Sequence, residues 1–169
     1  MNRNNKVSRF FRHLLSGPWR VRRFFSDDAM QNIEAEIHHN EASHTGEICF
    51  AVEAALHPLE LMAGKTPRER AIELFAAMNV WDTEANNGVL VYLLLADHDV
   101  EIVADRGIDR KVGAQGWEAI CHDMEAAFRR GEFEAGTLKG IRQIGKVLQE
   151  HFPAAGANKN ELPDAPLVL

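Results

Sequence analysis

The sequence predicts an α/β sandwich: a small mixed sheet built on a central hairpin over residues 88–105, with helices flanking both faces. Three observations predict it. GVLVYLLLA (88–96) is apolar on both of its alternating faces, as a strand covered on two sides must be. VEIVAD (100–105) follows across the short charged turn Asp97-His98-Asp99 and alternates more. Long stretches of helical periodicity lie before and after this pair. The run from Gly88 to Ala96 is about half the roughly 20 apolar residues that a membrane-crossing helix requires, so it reads as a strand.

The elements follow in order. Residues 1–25 form a basic amphipathic arm: Phe10, Phe11, Leu14 and Leu15 share one helical face among arginines, and Gly17-Pro18 interrupts it. Ser26 is an N-cap with Asp27 and Asp28 in the first turn, and Met30, Ile33 and Ile37 carry the helix to about Glu41. GEICFAV (46–52) is the first strand. After a loop, Thr66-Pro67-Arg68-Glu69 joins a capping box to a proline at N1, and Ala71, Leu74, Phe75 and Met78 mark the buried face. The hairpin comes next. Two helices then close the domain, striped by Trp117, Ile120, Cys121, Met124 and Phe128, and by Leu138, Ile141, Ile144, Leu148 and Phe152. From Pro153 the tail 153–169 has turn residues and no period, and it reads as disordered. The expected organisation is therefore an arm (1–25), a domain (26–152) and a tail (153–169).

Charge sorts the possible functions. The 169 residues carry a net charge of −6. The arm holds Arg3, Lys6, Arg9, Arg12, Arg20, Arg22 and Arg23 and no acid, which leaves 12 of 19 bases against 25 acids and a body near −13. An acidic body argues against nucleic acid as a partner, because phosphate neutralisation needs clustered Lys and Arg. The arm is suited to an anionic membrane surface, with its aromatics at the interface and its arginines on phosphates, or else to packing its aromatics on the domain itself. Arginines interrupt every early apolar stretch, so no secretory signal is visible and the expected location is cytoplasmic, peripheral to the inner membrane if the arm binds lipid. Cys49 and Cys121 lie in apolar patterns and read as buried free thiols.

Most chemical motifs fail. Gly140-IRQI-Gly145-Lys146 begins like a phosphate-binding loop but continues with Val147 and follows no strand, so no nucleotide is expected. Asp82-Thr-Glu84-Ala-Asn86-Asn87-Gly88 has the oxygen density of an EF-hand, but its glycine comes one place late and its twelfth position is Leu93. His38, His39 and His44 sit on or past a helix end, and no zinc is expected there. What remains is geometric. In a hairpin the start of the first strand lies beside the end of the second, so Asn86 and Asn87 meet Asp105 and Arg106, while Asp97 and Asp99 are carried to the far turn. With Asp82, Asn86, Asn87 and Asp105 as hard oxygen ligands, this sheet edge is the candidate site for calcium or magnesium, and Arg106 is the candidate anion contact.

The polar turn before Gly88, the strand GVLVYLLLA, the charged turn and VEIVADRGI, preceded by IEAEI, TGEI and ERAIELFAAM, resemble the TPM-domain family from Ser26 to Phe152. That family is named for a thylakoid lumen protein, a photosystem II repair protein and an auxiliary subunit of a nematode acetylcholine receptor. The resemblance implies a three-layer sandwich with a cleft at one sheet edge and, for some members, divalent-metal binding and acid phosphatase activity. Asn86, Asn87 and Gly88 match the metal-side turn. The family's Val-Val-Asp-like segment is replaced here by PWRVRRFF, and its glycine-rich end to the second hairpin strand by Ala104-Asp105-Arg106-Gly107. The expected function is a non-catalytic binding or assembly domain acting with an unidentified, membrane-associated protein partner. The alternative is a phosphatase assisted by a divalent metal at the sheet edge.

Overall fold

The protein is described from a computed structural model, which covers residues 3–154 and 160–169. Helices α1 (Arg3–Leu14) and α2 (Trp19–Phe24) form the arm, and α3 (Asp27–Glu41) follows the Ser26 cap, whose side chain accepts from the Ala29 N–H. Strand β1 (Ile48–Glu53) leads through α4 (Pro58–Ala63) and α5 (Pro67–Ala77) to β2 (Val89–Leu94) and β3 (Asp99–Ala104). Long helices α6 (Arg106–Arg129) and α7 (Phe133–His151) come next, and β4 (Leu167–Val168) ends the chain. Among the described residues the strands form one sheet in the order β3-β2-β1-β4. β1 runs parallel to β2 and to β4, and β2–β3 is the antiparallel hairpin, with Val89 opposite Ala104 and Leu94 opposite Asp99.

Side-chain alternation divides the core between the two faces. Ile48, Phe50 and Val52 of β1, with Val89, Val91 and Leu93 of β2, pack with Ile33, Ile37, Trp117, Met124, Phe128, Ile141 and Leu148. Cys49 and Ala51, with Leu90, Tyr92 and Leu94, pack with Leu56, Ala71, Leu74 and Val80. Helices α3, α6 and α7 thus cover one face and α5 the other, which is the three-layer sandwich.

Four local features differ from the sequence reading. The tail is not structureless throughout: Leu167 and Val168 pair with Ala51 and Val52, and Leu162 and Leu167 pack on the α5 side. Two paired residues are too short a strand to leave a periodic signal. Residues 155–159 of the predicted tail lie outside the described residues. The loop before Thr66 contains α4, capped by a His57/Glu60 box that the Ser/Thr pattern does not anticipate. Helix α6 begins directly at Arg106, and its stripe is hard to see because Gly113 (φ 70°) breaks the helical path and resets the phase. The arm is not separate from the domain, since Val21 and Phe25 are core residues at 2% exposure each and Phe24 stacks on Phe133.

The rejected phosphate-loop pattern lies inside α7, where Gly140 abuts Met124 and Gly145 abuts Asn40.

Candidate functional site

Because β1 and β2 start at the same end of the sheet and β3 finishes there, three loop junctions converge. Val89 N–H donates to Glu47 O at 2.8 Å, Asp105 N–H to Gly88 O at 2.8 Å, and Ile108 N–H to Asn86 O at 3.3 Å. This brings Asn86, Asn87, Asp105 and Arg106 together. Asn86 turns the chain in the left-handed region (φ 53°), which asparagine tolerates. Gly107 lies so close beneath the Ala85 and Asn86 carbonyls that a Cβ there would collide with both.

Asn87 is fully buried. Its backbone N–H donates to Thr83 Oγ1 at 3.1 Å and its Nδ2 to Thr45 O at 3.0 Å, while its Oδ1 has no hydrogen-bond partner. Asp105 is the N-cap of α6: its Oδ1 accepts from Arg106 N–H at 2.6 Å, and its buried Oδ2 has no partner. Two acceptor oxygens are thus withdrawn from water without a donor, a costly arrangement for a fold to retain. Asp82 and Arg106 are exposed, and their side chains make no hydrogen bond or ion pair among the described residues. No group of three or more His, Cys, Asp or Glu side chains suited to a metal ion occurs among the described residues.

Sequence reasoning missed an acidic layer beside these residues. Glu41 Oε1 accepts from Ile48 N–H at 3.1 Å, and the Glu47 carboxylate accepts from the Glu161 and Leu162 N–H groups at 3.2 Å each. Asp164 meets His38 Nδ1 at 3.0 Å. Burial, with the neighbouring charges of Glu47 and Asp164 adding to it, raises the Glu41 pKa to about 8, and burial raises that of Glu47. Glu41 closes a polar helix end and Glu47 precedes an apolar strand, so neither carried a sequence signal. Only the folded-back tail reveals them as neighbours.

The opposite end of the sheet belongs to the arm. Asp97 accepts from Arg9 Nε at 2.8 Å and from Arg12 at 3.1 Å, and His13 Nε2 lies 3.1 Å away. His13 Nδ1 accepts the Leu56 N–H at 3.0 Å, which places the ring proton on Nε2, facing Asp97. Burial would raise the Asp97 pKa, but hydrogen bonds from His13 and Arg9 and the charge of Arg9 outweigh it and hold the carboxyl below its ordinary range. Arg9 also donates to Lys65 O at 3.1 Å.

These contacts invert α1. Its Arg9–His13 side faces the protein, while Val7, Phe11, Leu14 and Leu15 are exposed. The sequence offered lipid contact or packing of the aromatics on the domain. The arm instead docks through its polar side and leaves most of its apolar residues outward. Helix α4 packs beside α1 and adds exposed Leu59 and Met62. Among the described residues no helix is long and apolar enough to cross a membrane. Cys49 and Cys121 are free, and burial pushes both thiols up to about 12.

The TPM domain family model matches residues 21–147, well over half of the chain. Among solved structures, the BA42 protein of the psychrophilic bacterium Bizionia argentinensis is 25% identical with a TM-score of 0.76, covering 86% of this chain and 96% of its own. The N-terminal domain of a protein from P. gingivalis is 19% identical with a TM-score of 0.62, covering 79% and 83%, a likeness that shows the fold alone. No curated protein matches the chain. With the three-layer fold, the hairpin and the family match in agreement, this chain belongs to the TPM-domain family.

Proposed function

We propose that this chain is a non-catalytic binding or assembly domain of the TPM type that works at an anionic membrane surface, on its cytoplasmic side, together with a membrane-associated protein complex. The single observation that carries the reading is the inverted α1. A helix normally buries its apolar stripe, and here Phe11, Leu14 and Leu15 are 55%, 58% and 74% exposed while Arg9 and His13 point inward. Exposed Trp19 extends the stripe, and Arg12, Arg22 and Arg23 border it. An apolar row edged by arginines fits the boundary between acyl chains and lipid phosphates. The acidic body is repelled by the same anionic surface, which leaves it to a protein partner.

The test is co-sedimentation of the full chain with phosphatidylcholine vesicles, with and without anionic phosphatidylglycerol. Binding is expected only to the anionic vesicles, and Phe11→Ser with Leu15→Ser should abolish it while unfolding stability stays within about 0.5 kcal/mol of the parent, because both side chains are already exposed. Equal sedimentation of parent and variant would sink the reading. Deleting residues 1–25 is the wrong experiment, since it removes Val21 and Phe25 from the core.

A second reading has its own observation: the partnerless buried oxygens of Asn87 and Asp105. Oxygen donors of this kind suit calcium or magnesium, with Asp105 supplying charge and Asn87 a neutral ligand. A divalent ion there would polarise a bound phosphoryl group, and exposed Arg106 at the α6 start would meet its oxygens. The donor set is short of charge, since Asp82 is exposed and one Asp105 oxygen already caps α6. The binding-domain reading is therefore preferred.

A further inference from the structure

We propose that the groove between α1 and α2, lined by Arg12, Ser16, Trp19, Arg20 and Arg23, is a binding site for a phosphate group. The groove measures about 430 Å³ and is also lined by Leu15 and Phe24. No carboxylate of the described residues lines it. Three guanidinium groups therefore share one small volume without a counter-charge inside it, an arrangement that a phosphate relieves through paired N–H···O bonds.

The hydrogen bonds in the groove leave donors free. Arg12 commits one nitrogen to Asp97, and Arg20 donates to Ser16 Oγ at 2.6 Å while its guanidinium lies 5.6 Å from the centre of the Phe24 ring. Ser16 Oγ in turn donates to Arg12 O at 2.6 Å, which fixes the floor of the turn. Arg23 is exposed, and its side chain makes no hydrogen bond or ion pair among the described residues. The positive field reaches a neighbour: burial, and then the charges of Arg20 and Arg12, lower the pKa of His98 in the β2–β3 turn. Exposed Leu15 and Trp19 give the groove an apolar side next to its cationic wall, as a phosphate joined to a glycerol or acyl group would require. Of the lining residues, Arg12, Leu15, Ser16, Trp19 and Arg20 lie before the family match at 21–147, and Arg23 and Phe24 lie within it.

The shared ligand chemistry is a phosphate, and its source is either a lipid headgroup or a soluble phosphate compound. The lipid source rests on the membrane reading above; the groove itself does not. The experiment follows the His98 and Trp19 ring signals of the full chain by NMR during titration with inorganic phosphate, and in parallel measures sedimentation with phosphatidylcholine vesicles containing phosphatidic acid. Saturable movement of both signals, an upward shift of the His98 titration and vesicle binding are expected, with Arg20→Gln plus Arg23→Gln weakening both by roughly tenfold or more. Phosphate response without vesicle binding would support the groove and defeat the membrane reading. Vesicle binding unchanged in the double variant, without any phosphate response, would leave the membrane reading standing and overturn the groove. Arg20→Lys with Arg23→Lys keeps the charge and loses the planar fork. Parent-like phosphate affinity in that variant would reduce the groove to a diffuse positive surface and also overturn it.

Discussion

The two ends of the sheet treat buried carboxylates in opposite ways. At the β2–β3 turn, Asp97 is surrounded by Arg9, Arg12 and His13, and its negative charge fastens the arm to the domain. At the strand-start end, Glu41 and Glu47 are buried beside Asp164 with backbone N–H donors, and no arginine or lysine pairs with them among the described residues. Asp97 of the conspicuous Asp-His-Asp turn is thus an anchor whose charge is satisfied, whereas Asp99 beside it keeps a buried Oδ1 without a partner, and burial raises its pKa to about 7. The quieter end retains Asn87 and Asp105 oxygens whose needs the protein alone does not meet. The same chemical edit, replacing a carboxylate by its amide, should consequently have opposite signs at Asp97 and at Glu41.

The largest effect is expected at the anchor. Asp97→Asn leaves Arg9, itself mostly buried, without its counter-ion, and removing one partner of such a pair costs about 3–5 kcal/mol. Urea unfolding at neutral pH should show that loss as a lowered midpoint with little change in slope. The Asp97 pKa is depressed in the fold, so its stabilisation is present above the ordinary carboxylate range and is lost as pH falls through the lower folded value. The difference between parent and variant should shrink in strong acid. A variant as stable as the parent at pH 7 would mean that Asp97 does not hold the arm.

The opposite sign is expected for Glu41→Gln. The Glu41 pKa rises from 4.5 to about 8 in the fold, so the folded state binds the extra proton, and stability declines as pH rises through that window. The amide oxygen still accepts the Ile48 N–H, and no charge has to be buried above pH 8. Glu41→Gln should then be more stable than the parent by on the order of 1–3 kcal/mol above pH 8 and about equal to it near pH 4.5, measured by thermal unfolding across pH. Destabilisation at pH 9 would overturn this account of the acidic end.

Legibility in the sequence followed the same division. The hairpin, the Ser26 and Thr66 caps and the two-sided burial of β2 were readable because each depends on local pattern or on short-range geometry, whereas the register was not: Asp99, read as part of the turn, opens β3 opposite Leu94. Hairpin logic also carried Asn86, Asn87, Asp105 and Arg106 to one edge. The anchor and the acidic layer were not readable. Arg9 meets Asp97 across 88 positions and Glu161 meets Glu47 across 114, and no periodicity encodes such encounters. The inversion of α1 was hidden for a related reason. Its helical pattern shows one apolar face and one basic face, and only tertiary contact decides which of them the protein keeps.

The smallest effect, and the sharpest probe of the strand-start end, concerns divalent ions. If the lone oxygens of Asn87 and Asp105 hold calcium or magnesium, the ion binds the folded state alone, and at ten times its Kd it adds about 1.4 kcal/mol to stability. Asp105→Asn retains an oxygen for the Arg106 N–H cap but removes the site's buried charge. By itself that change should cost a few tenths to about 1 kcal/mol through the helix dipole. Its diagnostic consequence is loss of the ion-dependent rise in Tm, which Asp97→Asn should leave intact because Asp97 lies at the other end of the hairpin. A parent Tm indifferent to both ions would remove the metal from this end, and the unpartnered oxygens would then have to be satisfied by buried water.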